Sequence, residues 1–439
     1  MPSEWRNWAG DQRCTPAAIE RPGTRGELTD AIGRAAAQQR AVRAAASGHS
    51  FTDIACTAGV MLRLERLDRV LDVDRESGLV RVEAGIGLHD LAQALDTHGL
   101  ALENQGDIDH QTLAGAISTA THGTGALFPN MSAQVESVEL VLADGSVTEL
   151  NADSDPDGVR AARAGLGALG MIYAVTLRTV PAFTIRRVDR PAPLQETLAG
   201  LDELPDLHDH FELYTFPHTD VAVLRQSERT DEPPRPRSRR REYVQEVVLE
   251  NWVAEAYARV SRRLPSLTGP LARALAGRIG RSVKVDRSHR VFASERRLRF
   301  TEMEYAIPRE HGAEAVRRVL ELIEREDLRV SLPIEVRFVA SDDAFLSPSH
   351  ERETCYVAVH MYRGVAWERY FRGVEQIMDS YGGRPHWGKR HFQTAETLAP
   401  RYPRWADFQR VRSRLDPEGR FANAYTDRVL GPALSAARV

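Results

Sequence analysis

A short loop with one histidine is the first place in this sequence where chemistry could occur. Residues 43–53 read RAAASGHSFTD, so Ser47, Gly48, His49 and Ser50 directly follow a small, strand-like run. Small residues let the backbone approach another molecule, and successive backbone N–H groups in such a loop can bind an anion such as a pyrophosphate. The imidazole could serve as ligand, base or nucleophile. A tight turn with a surface histidine explains the same residues, so the loop alone leaves both interpretations open.

Two further glycine-rich runs share these properties. The first is NQGDIDHQTLAGAISTATHGTG at 104–125, where short hydroxyl side chains alternate with glycines. The second is RAGLGALGMIYAVTL at 163–177, where glycines lead into a strand-like segment. Glycines permit close backbone approach, and short hydroxyls hydrogen-bond to phosphate or ring oxygens. Three such runs in one part of the chain predict a large, elongated ligand that lies along the backbone.

The segment SLPIEVRFVA has the alternation of a β-strand and carries two opposite charges. Ile334, Val336 and Phe338 point to one face, and Glu335 and Arg337 point to the other. A solvent-exposed ion pair on a strand face is common and contributes little to stability. From the residues alone, this pair is equally a surface ion bridge or part of a site.

A third group of candidate residues lies near the C-terminus, in RPHWGKRHFQ. His386 and His391 are five residues apart without a clustered carboxylate or cysteine, so the sequence predicts no metal site there. The basic and aromatic residues around Lys389 are weak evidence for a phosphate or nucleic-acid patch. His360, in the mostly apolar YVAVHMYRG, is either a core histidine or a substrate contact.

The composition limits what kind of protein presents these residues. The chain has 439 residues, 42% hydrophobic and 27% charged, with a formal net charge of −4, which is typical of a folded protein and gives no general basicity for nucleic acid. Three scattered cysteines predict neither a disulfide framework nor a zinc site. Neither a signal peptide nor a long apolar run is evident, so we expect a soluble, cytoplasmic protein without a transmembrane segment.

The elements that must position the candidate residues follow from local patterns. Thr24 and Glu27 start an alanine-rich helix as a capping box, and a hairpin turns at Asp144-Gly145. Short strands precede the histidine loop and follow it. Beyond residue 290, strands alternate with amphipathic helices, which predicts a sheet with helices on one face. The run Arg235 to Arg241 is most simply a solvated loop, with a membrane-surface or partner role as the alternative.

The motifs SGHSFTDIAC, THGTG and LGALGMI resemble the FAD-binding (PCMH-type) domain of the vanillyl-alcohol-oxidase flavoprotein superfamily. Within it, the chain is similar to the sugar-1,4-lactone oxidoreductase family, and the bacterial L-gulono-1,4-lactone dehydrogenases of that family look nearest. The resemblance extends from NWAG to DPEGRFANAY and is weakest between Pro191 and Arg290. It implies an α+β, two-domain fold: an FAD-binding domain at 1–183, a cap domain with an antiparallel sheet at 184–385, and a C-terminal segment at 386–439 that closes over the flavin.

The resemblance also implies FAD as the cofactor, bound covalently through His49. Superfamily members with a second flavin bond use a cysteine in the loop that matches Gln105 to Asp109, and this chain has none there, so we expect a single tether. The residues expected to bind the cofactor are Ser47, Gly48, His49, Ser50, Asp107, Thr112, Gly115, Thr119, Thr121, His122, Gly123, Gly170, Ile172, His386 and Lys389.

The implied catalytic residues are Glu335, Arg337 and Lys389, and the implied substrate contacts are Glu335, Arg337 and His360. The implied reaction oxidises C2 of an aldono-1,4-lactone of the L-gulono type to an ascorbate-type product, with hydride passing to flavin N5. Oxygen, a cytochrome or a quinone would then reoxidise the flavin, and Gly106 would leave the oxygen path open. The alternatives are an alditol oxidase that uses the same Glu-x-Arg pair and, from another class, a nucleic-acid-binding protein.

Overall fold

Two sheets form the part of the fold that carries the glycine-rich loops. The structure, a computed structural model, describes residues 4–236, 251–294 and 297–433. Three short parallel strands make the small sheet, in the order Ala18–Glu20, Val60–Leu62 and Val42–Ala44. Five antiparallel strands make the middle sheet, in the order Val147–Asn151, Val135–Val141, Met171–Arg178, Leu79–Glu83 and Val70–Asp74. The helices that accompany these sheets are Arg25–Ala37, Leu88–Thr97, Leu113–Ser118 and Pro156–Ala162.

Local sequence signals account for the ends of these elements. The Thr24 side chain accepts a hydrogen bond from the backbone N–H of Glu27 and so caps the first helix. The Glu27 carboxylate binds the N–H of Gly23 rather than that of Thr24, so only half of the predicted capping box forms. Gly145 has φ +83° in the predicted hairpin turn, a left-handed conformation that glycine adopts without strain.

An eight-stranded antiparallel sheet, the large sheet, dominates the second part of the chain. Its strands lie in the order Ser282–Arg287, Thr184–Pro193, Val221–Thr230, His210–Thr215, Ile334–Val339, Thr354–Tyr362, Phe300–Pro308 and Arg384–Pro385. The further helices are Leu194–Ala199, Ala254–Arg263, Thr268–Ala276, Ser288–Phe292, Gly312–Arg325, Glu368–Asp379, Ala395–Leu398, Trp405–Leu415 and Ala424–Leu430. The predicted antiparallel sheet is confirmed, although the sequence patterns indicated fewer of its strands.

The two faces of the large sheet differ in chemistry. On one face, Val336, Met303 and Val357 pack against three helices, Leu194–Ala199, Gly312–Arg325 and Glu368–Asp379. The helices therefore cover one face, as predicted. The opposite face carries ionisable side chains that are nonetheless buried. Because buried charges need partners, this second face must contact polar groups from elsewhere in the fold.

The C-terminal segment returns to the first part of the chain. Phe408, Tyr425 and Leu430 join the same hydrophobic core as Val138 of the middle sheet. The α+β class is confirmed, and we retain the boundaries at residues 184 and 386 as a proposal. None of the helices in the described ranges is long and apolar enough to cross a bilayer. Residues 237–241 of the arginine-rich run lie outside the described residues.

Candidate active site

Two adjoining cavities lie between the glycine-rich loops and the polar face of the large sheet. The larger has a volume of about 730 Å³ and is lined by residues from both parts of the chain. The smaller, of about 110 Å³, lies among the glycine-rich loops. His49, Ser50, Gln111 and Thr119 line both cavities. An elongated ligand could therefore extend from one cavity into the other.

The residues predicted to bind the cofactor come together around these cavities. The smaller cavity is lined by Ser47, Gly48, His49, Ser50, Thr112, Gly115, Thr119, Gly170 and Ile172. The larger is lined by His49, Ser50, Asp107, Thr119, Thr121, His122, His386 and Lys389. Gly123 lines neither cavity. A Cβ at this position would lie 2.3 Å from the backbone oxygen of Gln105. The fold requires glycine at position 123 for packing.

The walls of the cavities suit the FAD that the sequence implies. Gly48 and Gly170 adopt φ of +76° and +154°, conformations that bring the backbone to the smaller cavity without a side chain. Gln111 Oε1 is buried between the two cavities and has no hydrogen-bond partner among the described residues. A buried polar atom normally has a partner, so a ligand with hydrogen-bond donors fits this position.

The imidazole of His49 lies at the junction of the cavities and stacks on two other rings. Its ring stacks on Trp8 at a centroid distance of 5.3 Å and on His110 at 6.4 Å. Burial, with smaller contributions from His110 and Lys389, lowers the pKa of His49 to about 4. The ring is therefore neutral at pH 7, and a neutral imidazole carries the nitrogen lone pair that a nucleophile needs.

Strand register alone builds a row of alternating charges across the large sheet. Asp189 lies opposite Arg225, Arg225 opposite Glu212, and Glu212 opposite Arg337. Arg225 donates to Asp189 at 2.9 Å and to Glu212 at 3.3 Å. Cross-strand partners on one face are close enough to form ion pairs, so each charge in the row is balanced by its neighbours.

Arg337 is the centre of this network and joins the two parts of the chain. It donates to Glu212 at 2.6 Å and bonds to Glu335 on its own strand. It also pairs with Asp107 of the second glycine-rich run at 3.1 Å. Glu335 and Arg337 are only 6% and 8% exposed, which excludes a solvent-exposed ion bridge. Both line the larger cavity.

Glu335 holds a proton under conditions where an ordinary carboxyl group has lost it. Burial raises the pKa of Glu335 well above its usual range, and the hydrogen-bonded neighbour Glu212 and Asp107 raise it further against the effect of Arg337. The pKa of Glu212 moves in the opposite direction, because Arg337 and Arg225 outweigh its burial. Two adjacent carboxyl groups with pKa values moved apart form a pair suited to proton transfer.

A second ionic group, formed by Lys389 and Glu302, lines the same cavity. Lys389 Nζ donates to Glu302 at 2.5 Å, and Glu302 also lies 3.5 Å from His360 Nε2. Burial alone would lower the pKa of Lys389, but Glu302 and Glu304 raise it, so the ammonium stays charged. His360 lines the cavity while its Nδ1 lies 2.9 Å from the carbonyl of Pro333. It therefore combines the anchoring of a core histidine with the position of a ligand contact.

His122, Glu304 and His386 form a buried cluster beside Lys389. Their ligand atoms lie within 4.8 Å of one another, which is compatible with a metal ion. His122 Nε2 is 3.2 Å from Glu304, and His386 Nδ1 accepts a hydrogen bond from the N–H of Gly388. These contacts satisfy the cluster without an ion. His391, the other histidine of the motif, lies outside it and contacts Tyr425 Oη at 3.1 Å.

Several residues of the site were not identified from the sequence. The lining of the larger cavity also includes Trp8, Asp189, Tyr214, Arg225, Glu302 and Glu304. Glu212 is not part of the lining but lies opposite Arg337, which is. The signal for Glu302 and Glu304 was present in TEMEYAIP, where acids alternate with Met303 and Tyr305. An acid repeated on one face of a predicted buried strand indicates a functional face.

Comparisons with known sequences agree with this geometry. The profile of the D-arabinono-1,4-lactone oxidase family matches residues 175–429, and that of an FAD-binding domain matches residues 16–151. The chain is 52% identical to an L-gulono-1,4-lactone dehydrogenase of Mycobacterium tuberculosis H37Rv, over 98% of this chain and 99% of the relative. It is 36% identical to the L-gulonolactone oxidase of Mus musculus, over 97% and 98% of the two chains.

Among solved structures, the chain is similar to a solvent-stable cholesterol oxidase. The TM-score is 0.82 at 18% identity, with 98% of this chain and 97% of that chain covered. At this level of identity the similarity concerns the fold.

Proposed function

The chain belongs to the D-arabinono-1,4-lactone oxidase family, and on that premise we propose that it oxidises an aldono-1,4-lactone of the L-gulono-1,4-lactone type at C2 with FAD as cofactor. The observation that carries this proposal is the position of Glu335 and Arg337. Both are buried in the wall of a cavity that continues between the glycine-rich loops. The oxidisable group and the cofactor can thus meet in one enclosed space.

The residues of the smaller cavity would bind most of the FAD, and His49 would anchor it at the junction. FAD, when bound, accepts the two electrons that leave the substrate. We propose that the His49 ring nitrogen is covalently attached to it, since the neutral imidazole is placed by Trp8 and His110. The matching of the FAD-binding profile to residues 16–151 supports FAD itself.

Glu335 and Arg337 would act on the lactone. In its ionised form, Glu335 would accept the proton of the C2 hydroxyl. Arg337 would stabilise the negative charge that develops on the C2 oxygen as this proton leaves. Arg337 is held by three carboxyl groups, so its guanidinium is fixed before the substrate arrives. Fixed charges that need no reorientation during the reaction are effective stabilisers of a transition state.

Lys389 would supply a second fixed positive charge. Its half-buried ammonium pairs with Glu302, and it lies 5.2 Å from the ring centroid of Phe51. We propose that it faces the cofactor and favours a reduced, anionic ring, as a nearby cation does. His360 would contact the substrate from the neighbouring strand.

The product and the electron acceptor are also part of this proposal. The product would be of the ascorbate type, and oxygen, a cytochrome or a quinone would accept the electrons. The cytoplasmic location expected from the sequence stays a prediction. The alditol oxidase alternative uses the same Glu-x-Arg pair and differs in the substrate.

A substrate panel under anaerobic conditions tests the proposal. Loss of flavin absorbance near 450 nm should follow mixing with L-gulono-1,4-lactone, and open-chain alditols of the same carbon number should reduce the flavin far more slowly. The variant Glu335→Gln, with full flavin content, is the control for reduction outside this site. Preferential reduction by alditols would replace the lactone with the second candidate, and wild-type rates in the variant would contradict the assignment of the site.

A further inference from the structure

One part of the larger cavity contains neither the residues proposed for FAD nor the pair of Glu335 and Arg337. We call this part the distal compartment. Its sheet side, on the polar face of the large sheet, is lined by Tyr214, Val223, Arg225, Asp189 and Ser282. Its helical side, from the segment that follows Asn251, is lined by Ala254, Tyr257, Ala272, Leu275, Ala276 and Ile279. The mechanism proposed for the lactone uses none of these side chains.

The sheet side continues the row of cross-strand partners that begins at Arg337. Arg225 lies opposite Glu212, and Asp189 lies opposite Arg225. Ser282, on the edge strand, lies opposite Asp189. Ser282 is therefore four strands from Arg337 in the order of the sheet. Because neighbouring strands are about 4.8 Å apart, the cavity lining extends roughly 19 Å along the sheet from Arg337.

A hexono-1,4-lactone is much shorter than this lining. Its C2 and the oxygen on its C6 are separated by five bonds, which span about 6 Å in an extended chain with bonds of about 1.5 Å. A lactone with C2 at Glu335 therefore reaches about one strand further, to Tyr214, which lies opposite Glu335. Asp189 and Ser282 lie beyond its end. The distal compartment thus has space for a further group attached to the lactone.

The charges on the sheet side balance one another. Arg225 donates to Asp189 at 2.9 Å and to the Tyr214 hydroxyl at 3.0 Å, and Ser282 donates to Asp189 at 3.4 Å. A balanced ion pair has no excess charge with which to attract an ionic group. When a ligand displaces water from such a pair, the ligand must replace the lost hydrogen bonds. A neutral, hydroxylated group can do so, whereas a quinone or another apolar ring cannot.

The helical side suits the other surface of such a group. Among its side chains only Tyr257 carries a polar group, and its hydroxyl already donates to the carbonyl of Thr268. A sugar ring has hydroxyl groups at its edge and C–H groups on its faces, and aliphatic and aromatic side chains pack on C–H groups. Arg278 and Gly280, both exposed, also line the cavity, so this end is open to solvent.

We propose that the distal compartment is a subsite for a neutral sugar group attached to the lactone, such as a glycosyl group on O6. The hydroxyl groups of that sugar would bond to Asp189, Arg225 and Ser282, and its C–H faces would pack on the helical side. The subsite rests on the proposed oxidation of an aldono-1,4-lactone and extends its substrates to glycosylated lactones.

Anaerobic flavin reduction by two lactones that differ only in this group tests the proposal. The full-length, FAD-loaded protein is mixed with L-gulono-1,4-lactone or with its 6-O-glucosyl derivative, and the apparent Kd and the limiting rate of reduction are measured. The glucosylated lactone should have an apparent Kd at least about tenfold lower, as a few additional hydrogen bonds and C–H contacts would give. The limiting rates should be similar, because the reacting C2 lies at Glu335 in both cases.

Two variants of the distal compartment and one control locate the sugar group. Leu275→Trp places a larger side chain in the compartment and should weaken binding of the glucosylated lactone at least about tenfold more than binding of the free lactone. Ser282→Ala removes one hydroxyl group and should reduce the advantage of the glucosylated lactone severalfold. Leu207→Trp makes the same change as the first variant at a leucine that is 65% exposed and outside the cavity lining, and it should preserve the full advantage.

The possible results separate the subsite from the proposed function. If neither lactone reduces the flavin, the proposed function is wrong and the subsite is refuted with it. If the free lactone reduces the flavin and the glucosylated lactone binds no more tightly, only the subsite is refuted. An advantage that persists in both Leu275→Trp and Ser282→Ala would mean that the glucosyl group binds elsewhere, and it would also overturn the proposal.

Discussion

At the scale of single residues, Glu335 and Glu212 determine the pH at which the site can accept a proton. Glu335 lines the cavity, whereas Glu212, opposite Arg337 on the neighbouring strand, does not. Because burial and the negative charge of Glu212 raise the pKa of Glu335, its ionised form appears only at higher pH than for an ordinary glutamate. A neighbour that does not face the cavity thus controls the group that does.

The rate of flavin reduction by lactone should therefore rise with pH through the raised pKa of Glu335. In Glu212→Gln the like charge is gone, so the pKa of Glu335 falls and the midpoint should move about one unit or more to lower pH. Anaerobic stopped-flow measurements across pH test this shift. Glu335→Gln should slow flavin reduction by roughly 10²–10⁴ and abolish the rise of the rate with pH. A midpoint unchanged in Glu212→Gln would show that the two carboxyl groups do not interact.

His49 is the residue whose role is simplest to test. If it anchors FAD, flavin fluorescence should stay with the denatured wild-type chain on a gel and should be absent from His49→Ala. The variant should still fold and bind FAD reversibly, because the rest of the smaller cavity is unchanged. His110→Ala removes the adjacent ring without removing the nucleophile and should keep the flavin attached. Loss of flavin from the denatured wild type would refute the covalent bond.

At the scale of elements, alternation along the strands separates the helix-packed face of the large sheet from its chemical face. Met303 and Tyr305 pack on the helices, while Glu302 and Glu304 reach the cavity. The loops from the first part of the chain then supply the groups that the sheet lacks. Gly106 and Asp107 bring backbone and carboxylate to the polar face, where Asp107 pairs with Arg337.

Gly106 offers a test of what this loop controls. A Cβ at this position would lie 3.3 Å from Thr121 Cγ2 and 3.4 Å from the His122 carbonyl, so Gly106→Ala should fold after a small adjustment. The added methyl narrows the larger cavity and should slow reoxidation by oxygen more than reoxidation by a one-electron acceptor. Gly115→Ala, which lines only the smaller cavity, should leave the ratio of the two rates unchanged. Equal slowing with both acceptors would show that Gly106 is not a gate.

At the scale of the whole molecule, buried polar contacts fasten the C-terminal segment to the FAD-binding part. Arg43 is 3% exposed and donates to the carbonyls of Ile54, Leu166, Gly167 and Phe421. Asn423 donates to the carbonyls that follow the histidine loop, those of Asp53, Ile54 and Cys56. The segment that carries Lys389 and the loop that carries His49 are therefore held by one framework.

Arg43→Met should weaken this framework. The change leaves several carbonyls buried without a donor, so we expect a loss in the free energy of unfolding on the order of 3 kcal/mol. Burial lowers the pKa of Arg43 only to about 10, so the guanidinium remains charged at neutral pH and the effect should be independent of pH between 6 and 8. Urea unfolding followed by circular dichroism measures the loss. Arg34→Met, on an exposed surface pair, should cost less than about 1 kcal/mol; a similar small loss for Arg43→Met would contradict this role.

Local chemistry in the sequence was sufficient for much of the fold and part of the site. Caps, turns and alternation depend on near neighbours, so the helix at Arg25–Ala37, the hairpin at Gly145 and the strand at Ile334–Val339 could be predicted. The three glycine-rich runs indicated an elongated ligand before any cavity was seen, and the structure places all three around the cavities.

Only the tertiary structure decided whether Glu335 and Arg337 are buried and which groups surround them. Arg337 meets Glu212 across 125 residues of sequence, and the register that joins them depends on packing of the whole sheet. Lys389 meets Glu302 across 87 residues for the same reason. Strand alternation states which face a side chain occupies, but long-range pairing determines its partners, its burial and hence its pKa.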